Sequence, residues 1–427
     1  MQHRKKTASI AIAAATALAL TGCAAGESDG GGDAQVELEM VTLGSLGPAL
    51  EKVVEQFESA HENITVAVEE MEGGQYFTVL PTQITSGQGP DLFLTFPGNG
   101  NSMATAVLGP NGYLADLSDL DYVGNLSPQL KDLASVDGKT YYVPGFGAAL
   151  GAIYDQDAWT EAGLEPPTTF DEVLSLCGEA QDMDKVLFAL GISSALQIQG
   201  TSYALVGSNV YASNPDFDEQ LRGGETTFAG SGWEEALNKF LEMQSAGCFN
   251  EDPTGLSSDQ AQNLLVQGEA LAFIDVPQQV TTLNEKAGEE RAWSLFALPG
   301  TDDPAETRLP VAPGIGYSAA ADGDNVEAAK EFLDFFSQPD IQAQYAAANL
   351  TPAGDPYSPA TGEPVNDVLS QIAEYQADGA TSPYPDQWWP NPKVQQAHVT
   401  GVQELLVGTG SVEEILTAMD EAYNSDN

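Results

Sequence analysis

Apolar and polar positions along the chain follow two periods in turn. Val36–Leu43, VELEMVTL, alternates apolar and acidic residues and then turns wholly apolar, as a strand entering a core does. After Ser45, Pro48 suits the first turn of a helix in which Leu50, Val53, Val54 and Phe57 recur at i, i+3, i+4 and i+7 on one face. ITVAV at 64–68 reads as a second strand, residues 76–84 as a second helix, and Leu92-Phe93-Leu94, behind Gly89-Pro90, as a third, buried strand. Strand, helix, strand, helix, strand predicts a parallel sheet covered by helices. Near the other end Ser411 and Glu414 are spaced as a capping box, and Val412, Ile415, Leu416 and Met419 give the last helix an apolar face.

Open sheets of this kind bind ligands in the crevice at the carboxyl ends of their strands. Three polar, glycine-containing loops fall near that edge: Ser45 with Leu46, Gly73-Gly74-Gln75-Tyr76, and Thr95-Phe96-Pro97-Gly98-Asn99. Each alone reads as a plain connection; together they make Ser45, Gly74, Gln75, Tyr76, Thr95, Phe96 and Asn99 candidate ligand contacts.

The first residues, MQHRKKTASIAIAAATALALTG, join a basic cluster to an apolar run too short to span a bilayer, which is a secretory signal peptide over 1–22. Leu20-Thr21-Gly22-Cys23 resembles the bacterial lipobox, in which the cysteine sulfur takes a diacylglyceryl group. Cys23 is then a lipid anchor in the bilayer; the alternative is a free cysteine at the end of a cleaved peptide. Residues 24–34 hold four Gly with Ser, Glu and Asp and no large apolar side chain, so 23–35 reads as a flexible tether. The expected location is the extracytoplasmic face of the cell membrane.

Composition narrows the function further. An apolar fraction of 42% over 427 residues gives enough core for two domains, and no apolar run after Cys23 approaches membrane-spanning length. A formal charge of -49, from 14 Lys+Arg against 63 Asp+Glu, repels phosphate and argues against nucleic acid. Such acidity reads either as a site for cations or as a solvated surface, and its spread along the chain favours the surface. Cys177 and Cys248 are an even pair in an exported chain, hence an expected disulfide, with two buried free thiols as the alternative. With the histidines at 3, 61 and 398, no zinc-type cluster forms in the sequence, and no metal or cofactor is expected.

The passages QFESAHENITVAV, ITSGQGPDLFL, VDGKTYYVPGFGAALGAIYDQDAWTEAGLEPPTTFDEVL, LLVQGEALAFID, NVEAAKEFLDFFSQPDIQAQYA and VQELLVGTGSVEEILTAMDEAY follow one another along the chain. In that order they resemble the extracellular solute-binding proteins that serve ABC importers, specifically the carbohydrate-binding group that includes maltodextrin and glycerol-phosphate binders. The resemblance implies an α/β, two-lobed periplasmic-binding-protein-like (type II) fold, with hinged lobes and a ligand cleft between them. Lobe 1 would hold 36–145 plus 313–350 and lobe 2 would hold 146–312 plus 351–427, with crossings near 144–149, 312–316 and 350–353. The implied partners are a mono- or oligosaccharide and the ABC permease subunits in the membrane, with the protein itself a monomer.

A sugar presents apolar C–H faces edged by hydroxyls, so its site needs aromatic planes and a few fixed polar groups. Tyr384-Pro385-Asp386-Gln387-Trp388-Trp389-Pro390 is the densest aromatic loop, and it aligns with a loop that delivers an aromatic platform in the resembling family. Trp388 and Trp389 are therefore platform candidates, with an interlobe core plug as the alternative. Phe96, Phe146 and Tyr203 read equally as cleft or core. Gln75, Asn99, Gln199 and Gln278 suit hydroxyls because an amide both donates and accepts, and Asp275 is a further candidate. At FIDVPQQ the family usually has a small or polar residue and Gly, then often an aromatic residue; Asp275, Val276 and Gln278 stand here instead, which implies a ligand smaller or more polar than a long glucan. Gly314 with Gly316 matches a glycine loop that touches ligand in many relatives, and serves equally as a hinge.

Nucleophile-elbow, zincin, P-loop and dinucleotide motifs are absent from the sequence. The leading expectation is a non-catalytic saccharide receptor. A receptor for a cation such as a polyamine and a lipid-anchored carbohydrate-active enzyme are the two alternatives.

Overall fold

The computed structural model describes residues 35–126, 128–349 and 367–425. The signal peptide at 1–22, Cys23, nearly all of the tether and the crossing at 350–353 lie outside the described residues.

The first half forms as its pattern predicts. β1 (Val36–Leu43) pairs in parallel with β2 (Ile64–Met71), from Val36↔Ile64 to Leu43↔Met71, and on its other side with β3 (Leu92–Thr95). The helices Gly47–Ala60 and Gly73–Thr85 connect them, and the first buries Leu50, Val53, Val54 and Phe57 beneath its Pro-bearing first turn. The second helix begins three residues before the expected start, because Gly73 and Gly74 already wind helically.

β4 (Val143–Ala149) then leads into a second sheet of β5 (Gly151–Asp155), β6 (Val186–Ala189), β7 (Ala270–Asp275) and β8 (Trp293–Phe296), in the order β8-β5-β7-β6. β9 (Leu309–Ala319) returns to the first sheet, where β10 (Thr381–Pro383) joins it, giving the order β10-β9-β3-β1-β2 with β4 paired to β9.

Three apolar clusters underlie these sheets. One holds Leu38, Met40, Phe57 and Phe93 together with Phe332, Leu333 and Tyr345, so the helices Val326–Phe336 and Pro339–Ala348 pack back on the first sheet. Another holds Trp159, Trp233, Phe240 and Trp389 and is closed by the helices Pro392–Leu406 and Val412–Tyr423. The smallest gathers Ile153, Phe273, Leu295, Leu309 and Ile372 around β5, β7 and β8.

β4 and β9 run antiparallel through more than one cluster. Val143 and Tyr317 lie in the first core, whereas Ala149 and Leu309 lie in the smallest. The sequence predicts flexible crossover residues here, but the structure forms a paired ladder with register shifts between Ala312, Ile315 and Gly316. Gly316 is required by that pairing: a Cβ there would overlap the Val143 carbonyl.

Cys177 and Cys248 form the expected disulfide, with Cα atoms 4.7 Å apart and a sequence separation of 71 positions. A loop of that size gives about 4 kcal/mol of stabilisation in the chain-entropy account. The last helix is capped by one arm of the expected box. Ser411 Oγ accepts the Glu414 N–H at 3.3 Å, but the Glu414 carboxylate takes the Ser411 hydroxyl at 2.9 Å instead of a backbone N–H. Among the described residues, no helix is long and apolar enough to cross a membrane.

Candidate functional site

The carboxyl ends of the first sheet carry the three predicted loops. β1 ends in the turn Gly44–Leu46, where Ser45 is half-buried, and the first turn of the helix after β2 exposes Gly74 and Gln75. Tyr76 is a core residue: its ring is fully buried and its hydroxyl donates to the Leu94 carbonyl at 2.5 Å. That corrects its reading as a ligand contact, because seating the helix on β3 uses both the ring and the hydroxyl. Thr95 is likewise turned inward, with Oγ1 2.7 Å from Ser318 Oγ across the β3–β9 ladder. Phe96 is half-buried against Phe77, ring centroids 5.3 Å apart.

In the second half, the helix Ala195–Val206 is buried at every position from Gln197 to Val206 and carries no charged residue. Burial all round takes both of its glutamines inside, although two-residue spacing puts them on different faces. Gln197 Nε2 donates to Asp275 Oδ2 at 2.6 Å, and the Val276 N–H donates to Asp275 Oδ1 at 2.7 Å. Gln199 Nε2 donates to Asp386 Oδ2 at 3.1 Å and to the Tyr203 hydroxyl at 3.0 Å, and Gln395 Nε2 reaches Asp386 Oδ2 at 3.3 Å. Burial pushes the Asp275 carboxyl up to about 7 and Asp386 up to about 6, and the amide donors only partly oppose it.

The tryptophan loop divides. Trp389 is 1% exposed, with its ring centroid 5.8 Å from Phe228, 6.1 Å from Trp233 and 6.2 Å from Tyr203. It plugs the second core and is not a platform, because the turn Pro385–Trp388 sends the next side chain inward. Tyr203, 1% exposed and stacked 5.6 Å from His398, resolves to core in the same way. Trp388 is half-buried, with the Arg222 guanidinium 5.7 Å from its ring centroid. Phe146 pairs with Ile315 in the β4–β9 ladder, and Gly314 lies on β9 between Ala312 and Ile315, where the register shifts.

The loop after β3 meets the tryptophan loop directly. Asn99 Nδ2 donates to the Pro390 carbonyl, and a Cβ on Gly98 or Gly100 would overlap the carbonyl oxygens of Gln387 and Asp386. Only glycine permits that approach. Sequence reasoning placed Asn99 here but missed Gln197, Tyr384, Asp386, Gln387 and Gln395. An uncharged helix reading ALQIQGTSYALV was the signal for Gln197, since a helix without a polar face must bury its amides. Several buried oxygens of this region have no hydrogen-bond partner: Gln278 Oε1, Gln387 Oε1, Ser202 Oγ and the Tyr384 hydroxyl. Among the described residues no group of three or more His, Cys, Asp and Glu is placed to hold a metal ion.

Asp275 and the loop after β3 both lie at the carboxyl ends of strands, where open α/β sheets bind their ligands. The family model for bacterial extracellular solute-binding proteins matches residues 42–343. The chain belongs to this family. Its members are extracellular, and the α/β, two-lobed type II fold expected from the sequence is theirs. The melibiose/raffinose/stachyose-binding protein MelE of Bacillus subtilis is 25% identical over 384 residues, 87% of this chain and 85% of that protein. A multiple sugar-binding protein of Streptococcus mutans is 25% identical over 201 residues, 47% of either protein, so this chain spans about half the length of that relative. Among solved structures, a chitin oligosaccharide binding protein superimposes with a TM-score of 0.74 at 22% identity, over 91% of this chain and 98% of its own.

His398 backs the site and generates a prediction. It is fully buried, neither ring nitrogen has a hydrogen-bond partner, and burial lowers its pKa from 6.5 to about 3. A folded value below the unfolded one means stability is complete above pH 6.5 and is lost as pH falls toward 3, at up to about 1.4 kcal/mol per pH unit. The buried carboxyls of Asp275, Asp386 and Asp218, raised to about 7, 6 and 7, act with the opposite sign over the same window. Subtracting the pH–stability curve of His398→Leu from that of the wild type removes their part. The difference should slope between pH 6 and 4; a flat difference would show that the ring is hydrated or paired.

Proposed function

We propose that the protein is the substrate-receiving component of an ABC importer and that it takes a neutral mono- or oligosaccharide into the cleft between its two lobes for delivery to the permease. The observation that carries this reading is the meeting of the loop after β3 with the tryptophan loop beside buried, partnerless oxygens, in a chain of the extracellular solute-binding family. Relatives named for multiple sugars, for melibiose, raffinose and stachyose, and for chitin oligosaccharides support a saccharide. Trp388 offers the half-buried aromatic surface, and Ser45, Gln75, Asn99 and Gln278 lie on the loops that would reach hydroxyls. No bond in the ligand is broken in this reading.

A thermal-shift panel of melibiose, raffinose, stachyose and chitotriose against spermidine tests it. A ligand at a hundred times its Kd adds about 2.7 kcal/mol to the folded state, so at least one saccharide should raise the melting temperature. A rise with spermidine alone would replace this reading by the cationic one.

β4 and β9 are the hinge in this account, bending at the register shifts while each lobe keeps its core. Closure then requires the backbone approach at Gly98 and Gly100. Gly100→Ala should leave the unliganded melting temperature unchanged and weaken saccharide binding about tenfold or more, because it burdens only the closed state. Unaltered affinity would mean that the two loops also meet in the open state.

Cys23 carries the lipid in this reading and tethers the folded part to the extracytoplasmic face of the membrane, where the permease lies. Cys23→Ser should move the protein from the membrane fraction to the soluble one in a fractionated bacterial host; retention in the membrane would place the anchor elsewhere.

A further inference from the structure

The hydrogen bonds around Asp275 and Asp386 leave a surplus of oxygen acceptors. The amide N–H groups of Gln197, Gln199 and Gln395 are already given to the two carboxylates, and the Val276 N–H to Asp275 Oδ1. Four buried oxygens stay without a partner, Gln278 Oε1, Gln387 Oε1, Ser202 Oγ and the Tyr384 hydroxyl; the two amide oxygens can only accept, the two hydroxyls can also donate, and the unpaired Trp389 Nε1 belongs to the aromatic core. The Gln279 side chain also bonds to Asp275 and the Tyr203 hydroxyl to Asp386, so each carboxyl accepts from more than one side chain. None of the ion pairs formed by the described residues includes either carboxylate. The two carboxyls therefore stand as acceptors with no cation paired to them, beside two amide oxygens that can only accept.

Placement gives the surplus its meaning. Asp275 ends β7 at its carboxyl edge, and Asp386 lies where the tryptophan loop meets Gly100 of the first sheet. The Tyr384 hydroxyl stands in the field of both, its pKa raised by burial and then by the charges of Asp275 and Asp386. A molecule entering here meets two carboxyls and the amide oxygens of Gln278 and Gln387. Burying a donor-rich polyol in that place satisfies the oxygens. Burying an anion adds like-charge repulsion in a medium that screens poorly and leaves the oxygens orphaned.

Resting on the saccharide-receptor reading above, we infer that Asp275 and Asp386 are the specificity-determining residues of the site: they accept hydroxyl protons from a neutral saccharide and exclude saccharides bearing a carboxylate, phosphate or sulfate. A site built around buried hydrogen-bonding groups discriminates strongly against ligands that cannot complete them. The exclusion is thus a property of the pocket and not of the saccharide's length.

Titration calorimetry of the purified protein tests the inference with two sets of probes, melibiose, raffinose, stachyose and chitotriose on one side and trigalacturonate and sucrose 6-phosphate on the other. The wild type should bind at least one neutral probe and prefer it to either acidic probe by about a hundredfold or more. Asp275→Asn and Asp386→Asn each exchange an acceptor-only group for an amide of the same shape. Each should weaken the tightest neutral probe by about tenfold or more and narrow the neutral-over-acidic ratio. A purely structural role would leave that ratio unmoved. An acidic probe bound by the wild type within about threefold of the best neutral one overturns the inference with no substitution needed, as do variants that keep the wild-type affinities, and either result leaves the saccharide reading standing. Binding of no probe in either set would bring down the saccharide reading, and the inference with it.

Discussion

Two carboxylates buried without a cation set the terms on which this cleft is built. An isolated charge in a protein interior is so costly that the group either takes a proton or finds donors. Asp275 and Asp386 do both in part: burial raises each toward neutrality, and amides from Gln197, Gln199 and Gln395 are turned toward them. Hydrogen bonds to a charged group contribute about 1.5–3 kcal/mol each, so these amides hold the carboxyls in place without cancelling the strain. In the receptor proposed above, the remainder of that strain is what a donor-bearing ligand relieves.

The same requirement explains local structure that would otherwise look wasteful. A helix buried from Gln197 to Val206 gives up a solvated face, but it carries two amides into the interior from one rigid element. The aromatic cluster of Tyr203, Trp233, Trp389 and His398 packs behind it and fixes the tryptophan loop from below. Gly98 and Gly100 then let the loop of the other sheet reach the backbone at Asp386 and Gln387. Burial, rigidity and close approach act together, and each is specified by residue types rather than by charge.

Periodicity made the first sheet legible because β1, β2 and β3 and their helices answer to one-sided burial, in which apolar spacing and structure are the same information. It did not decide Tyr76, Tyr203 and Trp389, since an aromatic looks the same in sequence whether it faces a ligand or a core, and here the exposure is 0%, 1% and 1%. Glutamines at two-residue spacing gave no helical stripe, so Gln197 went unnoticed beside Gln199. The crossovers were visible as glycine-bearing apolar stretches, but not as a ladder, because the pairing of β4 with β9 joins positions such as Val143 and Tyr317 that are far apart in the chain. Pairing at that range depends on register, which one strand read alone does not contain.

The chain's charge of -49 and the acidic groups of the cleft act over different distances. Surface acids produce a long-range field that slows the approach of any anion, and salt at about 0.15 M confines it to roughly 8 Å. Asp275 and Asp386 are buried and little screened, so their preference acts after contact and persists in salt. Raising the ionic strength therefore strips the surface contribution from the encounter and leaves the pocket's own selection in place. Acidity spread along the whole sequence is then a matter of solubility and encounter, whereas the proposed choice among saccharides rests with two carboxyls and the amide oxygens beside them.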